Sequence, residues 1–193
     1  MYLSKIELDP LQRNTQKILS NIYEAHQLVM RGFRAYDKEE IGRVLFRIEP
    51  EKAENLVAVL VQSEVGPEWN DLPDISTKSW EPDLRKGARY RFRLRANPVV
   101  TRDGKRFGLV GEEAQRRWLE RKDLGLLWQD YRVIDEGYMK MRRSENREVS
   151  YKSVRYDGIV RIDDPNKAMQ ALIGGIGPAK GFGFGLLSLA KAQ

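Results

Sequence analysis

Cysteine is absent from all 193 residues, and histidine occurs once, at His26. The first absence removes disulfides, thiolate metal sites and cysteine nucleophiles, and it suits a reducing compartment such as the cytoplasm. The second removes all-histidine metal centres and any mechanism that needs two histidines. Only a site built mainly from carboxylates would hold a metal, so no metal or other cofactor is expected. No apolar run approaches the ~18 residues of a membrane span. The opening residues Met1–Glu7 alternate charged and apolar side chains without an apolar signal core, which argues against secretion. No long basic helix with a strongly apolar face suits a membrane surface. Low-complexity tails and short-period repeats are also missing. With 41% hydrophobic residues, the chain has enough apolar surface to fold, in one domain or two small ones.

The chain is rich in positive charge, at net +6. The excess is uneven: residues 1–97 carry a net +1 and residues 98–193 a net +5. The densest stretch, Arg85–Arg106, holds nine basic residues against Asp103 alone. A solvated charged face explains such a run. A polyanion partner explains it too, and arginine's planar fork matches phosphate, which makes nucleic acid the favoured class.

Patterning divides the chain into two similar halves. Tyr2–Leu8 reads as a strand ended by Pro10, and Arg13–Phe33 as one helix with Ile18, Leu19, Ile22, Val29 and Phe33 at helical spacing. Gly42–Glu49 and Asn55–Gln62 read as strands, and Gly66–Glu81 as loop with at most one helical turn. Arg89–Ala96 is an alternating strand, with Tyr90, Phe92 and Leu94 facing one way and four arginines the other. Asn97-Pro98 through Gly104 reads as a linker with a turn at Asp103-Gly104. The second half runs through a short extended Phe107–Val110 and a helix over Glu112–Lys122. Strand-rich Leu126–Met141 follows, then a turn at Ser144-Glu145-Asn146, a returning strand Glu148–Ile162, a Pro-initiated helix Asn166–Ile173 and a last strand Leu186–Ala190. The fold expected is α+β, with two tandem ferredoxin-like βαββαβ domains over 1–97 and 98–193.

Gly174–Gly185 is the most unusual segment. It lacks the spacing and the following Ser or Thr of a P-loop, and a helix precedes it instead of following it. Lys180-Gly181-Phe182-Gly183-Phe184 matches the start of an RNA-recognition signature, but too little chain follows to complete that motif. Two readings remain: a tight loop of small residues packed on the last helix, or a backbone cradle for a phosphate with Lys180 adding charge. His26 likewise admits two. It is a partly buried structural residue, or it moves a proton in RNA cleavage by the 2′-hydroxyl, a reaction that needs a base, an acid and no metal. Tyr23 lies one turn before it on the same face. Arg31 follows near the helix end, where it would stabilise charge on a pentavalent phosphorane.

Four segments together resemble a known family. They are Met1-Tyr2-Leu3-Ser4-Lys5, Tyr23-Glu24-Ala25-His26, Arg91-Phe92-Arg93-Leu94-Arg95-Ala96-Asn97-Pro98, and Gly175-Ile176-Gly177-Pro178-Ala179-Lys180 running on to Gly185-Leu186-Leu187-Ser188-Leu189. The chain is similar along its whole length to the CRISPR-associated RAMP endoribonucleases of the CasE (Cse3) type. That resemblance implies tandem ferredoxin-like domains and metal-independent cleavage of a CRISPR repeat RNA at the base of its stem-loop. The products would be a 2′,3′-cyclic phosphate and a 5′-hydroxyl. It implies Tyr23 and His26 as catalytic residues with Arg31 as a phosphate contact. It further implies retention of the product hairpin and assembly with the other protein subunits of Cascade. A basic hairpin of the second domain would grip the stem through Arg142, Arg143, Arg147, Lys152 and Arg155, with Gly177, Lys180 and Gly181 as further substrate contacts. The alternatives are a catalytically silent RNA-hairpin-binding subunit of the same fold and a domain for a small acidic ligand.

Overall fold

The computed structural model describes residues 1–50, 55–70, 72, 75–144 and 147–192, leaving aside the side chains of Pro50 and Arg147. Two compact units are present. The first comprises Met1–Glu81, Lys140–Val149 and Gly181–Gly183; the second comprises Pro82–Met139, Ser150–Lys180 and Phe184–Gln193.

In the first unit β1 (Tyr2–Leu8) leads through α1 (Arg13–Ser20) and α2 (Ile22–Met30) to β2 (Val44–Pro50), β3 (Val57–Ser63) and β4 (Ile75–Ser79). The strands form an antiparallel sheet in the order β2-β3-β1-β4, the ferredoxin-like order. Helix α2 buries Ile22, Ala25, Leu28 and Val29. Ala25, Leu28, Val29 and the following Phe33 join a core with Ile6, Phe46, Val59 and Val61 from the inward faces of β1, β2 and β3. That buried stripe fixes which side of α2 faces away from the core, the side that carries Tyr23 and His26.

The second unit repeats the scheme. It contains β5 (Arg89–Ala96), a two-stranded ribbon of β6 (Val99–Arg102) and β7 (Lys105–Gly108), α3 (Glu112–Glu120), most of β8 (Leu126–Ser144) and β9 (Arg147–Ile162), whose residues within Lys140–Val149 belong to the first unit, α4 (Pro165–Gly174) and β10 (Leu187–Lys191). The sheet order β10-β5-β9-β8 is again ferredoxin-like. Its core takes Tyr90, Phe92, Leu94 and Ala96 from β5, Val154, Tyr156 and Val160 from β9, and Trp118 and Leu172 from the helices. Asp164 caps α4 by accepting from the Asn166 and Lys167 N–H groups, with Pro165 at the first helical position, as its sequence predicts. No helix among the described residues is long and apolar enough to cross a membrane.

Three elements differ from the sequence expectation. Arg89–Ala96 does not close the first sheet. It is an inner strand of the second, pairing Leu94 with Tyr156 on one side and with Leu187 on the other. The strand that closes the first sheet is β4, inside the segment expected to be loop. The single helix expected over Arg13–Phe33 is two helices and a short 3₁₀ turn at Arg31–Phe33, with a break at Asn21, whose backbone is extended (φ −142°, ψ 108°). The expected turn residues Glu145 and Asn146 lie outside the described residues.

Candidate active site

The break at Asn21 starts α2 with its own cap: the Asn21 side chain accepts the Tyr23 N–H at 3.2 Å. Tyr23 and His26, three residues apart, share the half-buried side of α2, with ring centroids 6.3 Å apart. The Gly181–Gly183 segment, which belongs to the same unit, supplies the other wall. The Phe182 ring lies 5.5 Å from the imidazole, tilted by 55°. Burial pushes the His26 pKa below its ordinary value, and a hydrogen bond to the Gly181 backbone opposes that without cancelling it. The imidazole is therefore neutral at pH 7, with lone-pair basicity to accept a proton.

The third component is a cation. Arg143 lies at the end of the β8–β9 hairpin, in the segment that belongs to the first unit. Its guanidinium sits 6.0 Å from the Tyr23 ring centroid, at the ~6 Å reach of a cation–π contact. No carboxylate among the described residues pairs with it. Neighbouring Arg142 is committed to Glu148 at 2.8 Å, as is Lys140 at 3.2 Å. Tyr23 is thus in ring contact with a neutral imidazole, itself beside Phe182, and lies under the Arg143 guanidinium, which has no ion-pair partner among the described residues.

Other sequence candidates are placed elsewhere. Arg31 stands five residues after His26, about 140° further round the helix axis at ~100° per residue. It lines a separate cleft of about 520 Å³ with Lys17, Glu24 and Gln27. Lys152 is 5% exposed; its ammonium pairs with Asp135 at 2.6 Å and lies 4.7 Å from the Tyr138 ring. Its stem packs on Gly108, where an added Cβ would come within 2.6 Å of Lys152 Cβ. Arg155 is shared between Glu136 and Asp157, in a network that also holds Arg95 and Ser153. These two cations hold their own sheet together. The Arg147 side chain lies outside the described residues.

The glycine-rich loop divides by residue. Gly177 has φ +87°, and a Cβ there would lie 2.8 Å from the Trp118 ring, so packing explains this glycine. A Cβ on Gly181 would meet nothing within 4 Å. Lys180 lies near Lys122, whose pKa burial and the charges of Arg121 and Lys180 lower. Sequence reasoning gave no weight to the β6–β7 ribbon as a separate element. Arg102, Lys105 and Arg106 are exposed on it, and none has an ion-pair partner among the described residues. The signal was present in the basic run Arg85–Arg106, but charge density alone does not show which arginines are engaged. No group of three or more His, Asp or Glu side chains among the described residues is arranged to hold a metal ion.

Two ferredoxin-like units, with neighbouring histidine, tyrosine and arginine side chains in the first and an exposed basic ribbon in the second, define an α+β protein suited to a polyanion. The chain belongs to the CRISPR associated protein family, whose model matches residues 1–191. It is 32% identical to the CRISPR-associated endoribonuclease Cse3 of Thermus thermophilus, covering 98% of this chain and 100% of the relative. It is 31% identical to the Cascade subunit CasE of Escherichia coli K12, covering 98% and 99%. Its structure matches that of Thermus thermophilus Cse3 bound to an RNA representing a pre-cleavage complex, with a TM-score of 0.89, 31% identity and 98% coverage of each chain.

Proposed function

We propose that this chain is a metal-independent endoribonuclease that cuts CRISPR precursor RNA at the base of the repeat stem-loop, keeps the mature hairpin and joins the Cascade complex in the cytoplasm. The observation that carries the reading is the Tyr23–His26 pair on α2, with a neutral imidazole, in a chain similar over its full length to an RNA-bound endoribonuclease. His26 takes the proton from the 2′-hydroxyl. The resulting alkoxide attacks the adjacent phosphorus, the bond to the 5′-oxygen breaks, and that oxygen takes a proton from solvent water, leaving a 2′,3′-cyclic phosphate and a 5′-hydroxyl while the imidazolium returns its proton to solvent. Arg143 offsets charge on the pentavalent phosphorane, and Tyr23 orients the phosphate.

The base role has a pH signature. The single-turnover cleavage rate is expected to rise as pH climbs through the lowered pKa of His26, below the usual ~6.5, and to be flat near neutrality. A rate that falls with rising pH across that range would make His26 the acid. The same shift bears on stability. The folded state binds fewer protons at His26 than the unfolded chain, so its contribution is fully present above ~6.5 and is lost as pH falls towards the folded value.

Stem affinity comes from phosphate contacts, because A-form RNA offers shape, phosphate and 2′-hydroxyls more readily than base edges. Arg102, Lys105 and Arg106 on the ribbon and Arg143 are among the exposed cations that have no ion-pair partner among the described residues and are placed to make them. Arg106→Ala is expected to weaken hairpin binding and to flatten the plot of log affinity against log salt by roughly 0.7–0.9 per lost contact. Lys152→Ala, by removing an internal ion pair, is expected to lower thermal stability and leave that slope unchanged. The reverse pattern would move the grip to the β8–β9 hairpin.

A further inference from the structure

Asn21 does more than start a helix. Its Oδ1 also accepts the Arg142 backbone N–H at 2.9 Å, and its Nδ2 donates to the Arg142 carbonyl at 2.9 Å. One carboxamide thereby engages both backbone polar groups of a single residue, as a neighbouring strand would. The partner lies 121 residues away in sequence. The same Oδ1 accepts from Tyr23, so one side chain is bonded both to the backbone of the catalytic helix and to the hairpin end. Ion pairing of Lys140 and Arg142 with Glu148 draws those side chains to an acid. The next residue, Arg143, is left over the Tyr23 ring.

We propose that Asn21 is a positioning residue for RNA cleavage: it ties the hairpin end to the first turn of α2, so that Arg143 meets the substrate's phosphodiester beside Tyr23 and His26. This rests on the endoribonuclease reading. A helix cap alone needs only the acceptor, which Ser supplies about as well as Asn. The clamp needs in addition an amide donor and the length to reach the Arg142 carbonyl. A helix broken at its middle, where Arg13–Phe33 has the spacing to continue, is the structural cost of that reach.

The test separates cap from clamp. Asn21→Ser keeps a capping oxygen; Asn21→Asp keeps the acceptor at the same length and lacks the donor. Both are expected to melt close to wild type and to bind the repeat hairpin with little change. Single-turnover cleavage at saturating enzyme is expected to fall roughly 10–100-fold, the scale of a small misplacement near the reacting atoms. In the Arg143→Ala background, Asn21→Ser is expected to cost nothing further, because both changes remove one interaction. A rate loss that adds in full to that of Arg143→Ala would overturn the proposal, as would wild-type rates in both Asn21 variants, or losses that track melting temperature alone. Failure of the wild-type chain to cut the hairpin would instead remove the endoribonuclease reading beneath it.

Discussion

His26→Ala is expected to lower single-turnover cleavage of the repeat hairpin by about 10²–10⁴-fold, the usual contribution of a positioned proton-transfer group, while hairpin binding stays close to wild type. The expectation follows from what surrounds the ring. The imidazole lies between Tyr23 on its own helix and Phe182, with its pKa lowered by burial, so it is neutral and oriented before substrate arrives. None of its neighbours would replace it as a base near neutrality, and it is the chain's only histidine. Binding is spared because the exposed cations Arg102, Lys105, Arg106 and Arg143 are untouched. A gel-shift titration beside a quench-flow time course measures both. Cleavage that persists at wild-type rate would return His26 to a packing role against Phe182.

The two glycines proposed from sequence as substrate contacts are expected to part company. Gly177→Val places a branched side chain at φ +87°, which costs about 1–2 kcal/mol for a left-handed backbone position. It also drives the new Cβ to 2.8 Å from the Trp118 ring. Trp118 is 3% exposed and backed by Tyr156, so it has little room to move; overpacking of this kind costs a further ~1–3 kcal/mol. The variant is expected to melt well below wild type or to be recovered unfolded. Gly181→Val meets open space and is expected to keep its melting temperature. It slows cleavage instead, because Gly181 lies against His26. Thermal melts of the two proteins beside their cleavage rates decide the matter. Equal stability for both would restore the cradle reading of the whole loop.

Much of this was legible in the sequence because periodicity reports faces well. The alternation in Arg89–Ala96 gave the strand and its inward side; the Pro165 start gave α4; the three-residue spacing of Tyr23 and His26 gave their common side of α2. Sequence periodicity does not report partners. Nothing local in Arg89–Ala96 shows that it pairs with β9 and β10, contacts about 60 and 90 residues away along the chain. Strand β4 escaped because four of its five residues are exposed, so Ile75 alone carries an apolar signal. The break at Asn21 was hidden because nothing local in the sequence shows the bonds its side chain makes to the Arg142 backbone, 121 residues away. The ion pairs that engage Lys152 and Arg155 in the basic hairpin were hidden for the same reason. A count of cations treats a lysine buried against Asp135 and one in solvent alike, and only the fold separates them.

The most direct measurement is cleavage of a labelled CRISPR repeat hairpin in EDTA, with a matched hairpin carrying a single 2′-deoxy sugar at the cut. The expected result is cutting of the ribose substrate in EDTA, with products ending in a cyclic phosphate and a 5′-hydroxyl. The deoxy hairpin, bound as tightly, is expected to stay intact. Cutting of the deoxy hairpin, or cutting that stops in EDTA and returns with a divalent ion, would contradict attack by the 2′-hydroxyl and remove His26 from the centre of the reaction.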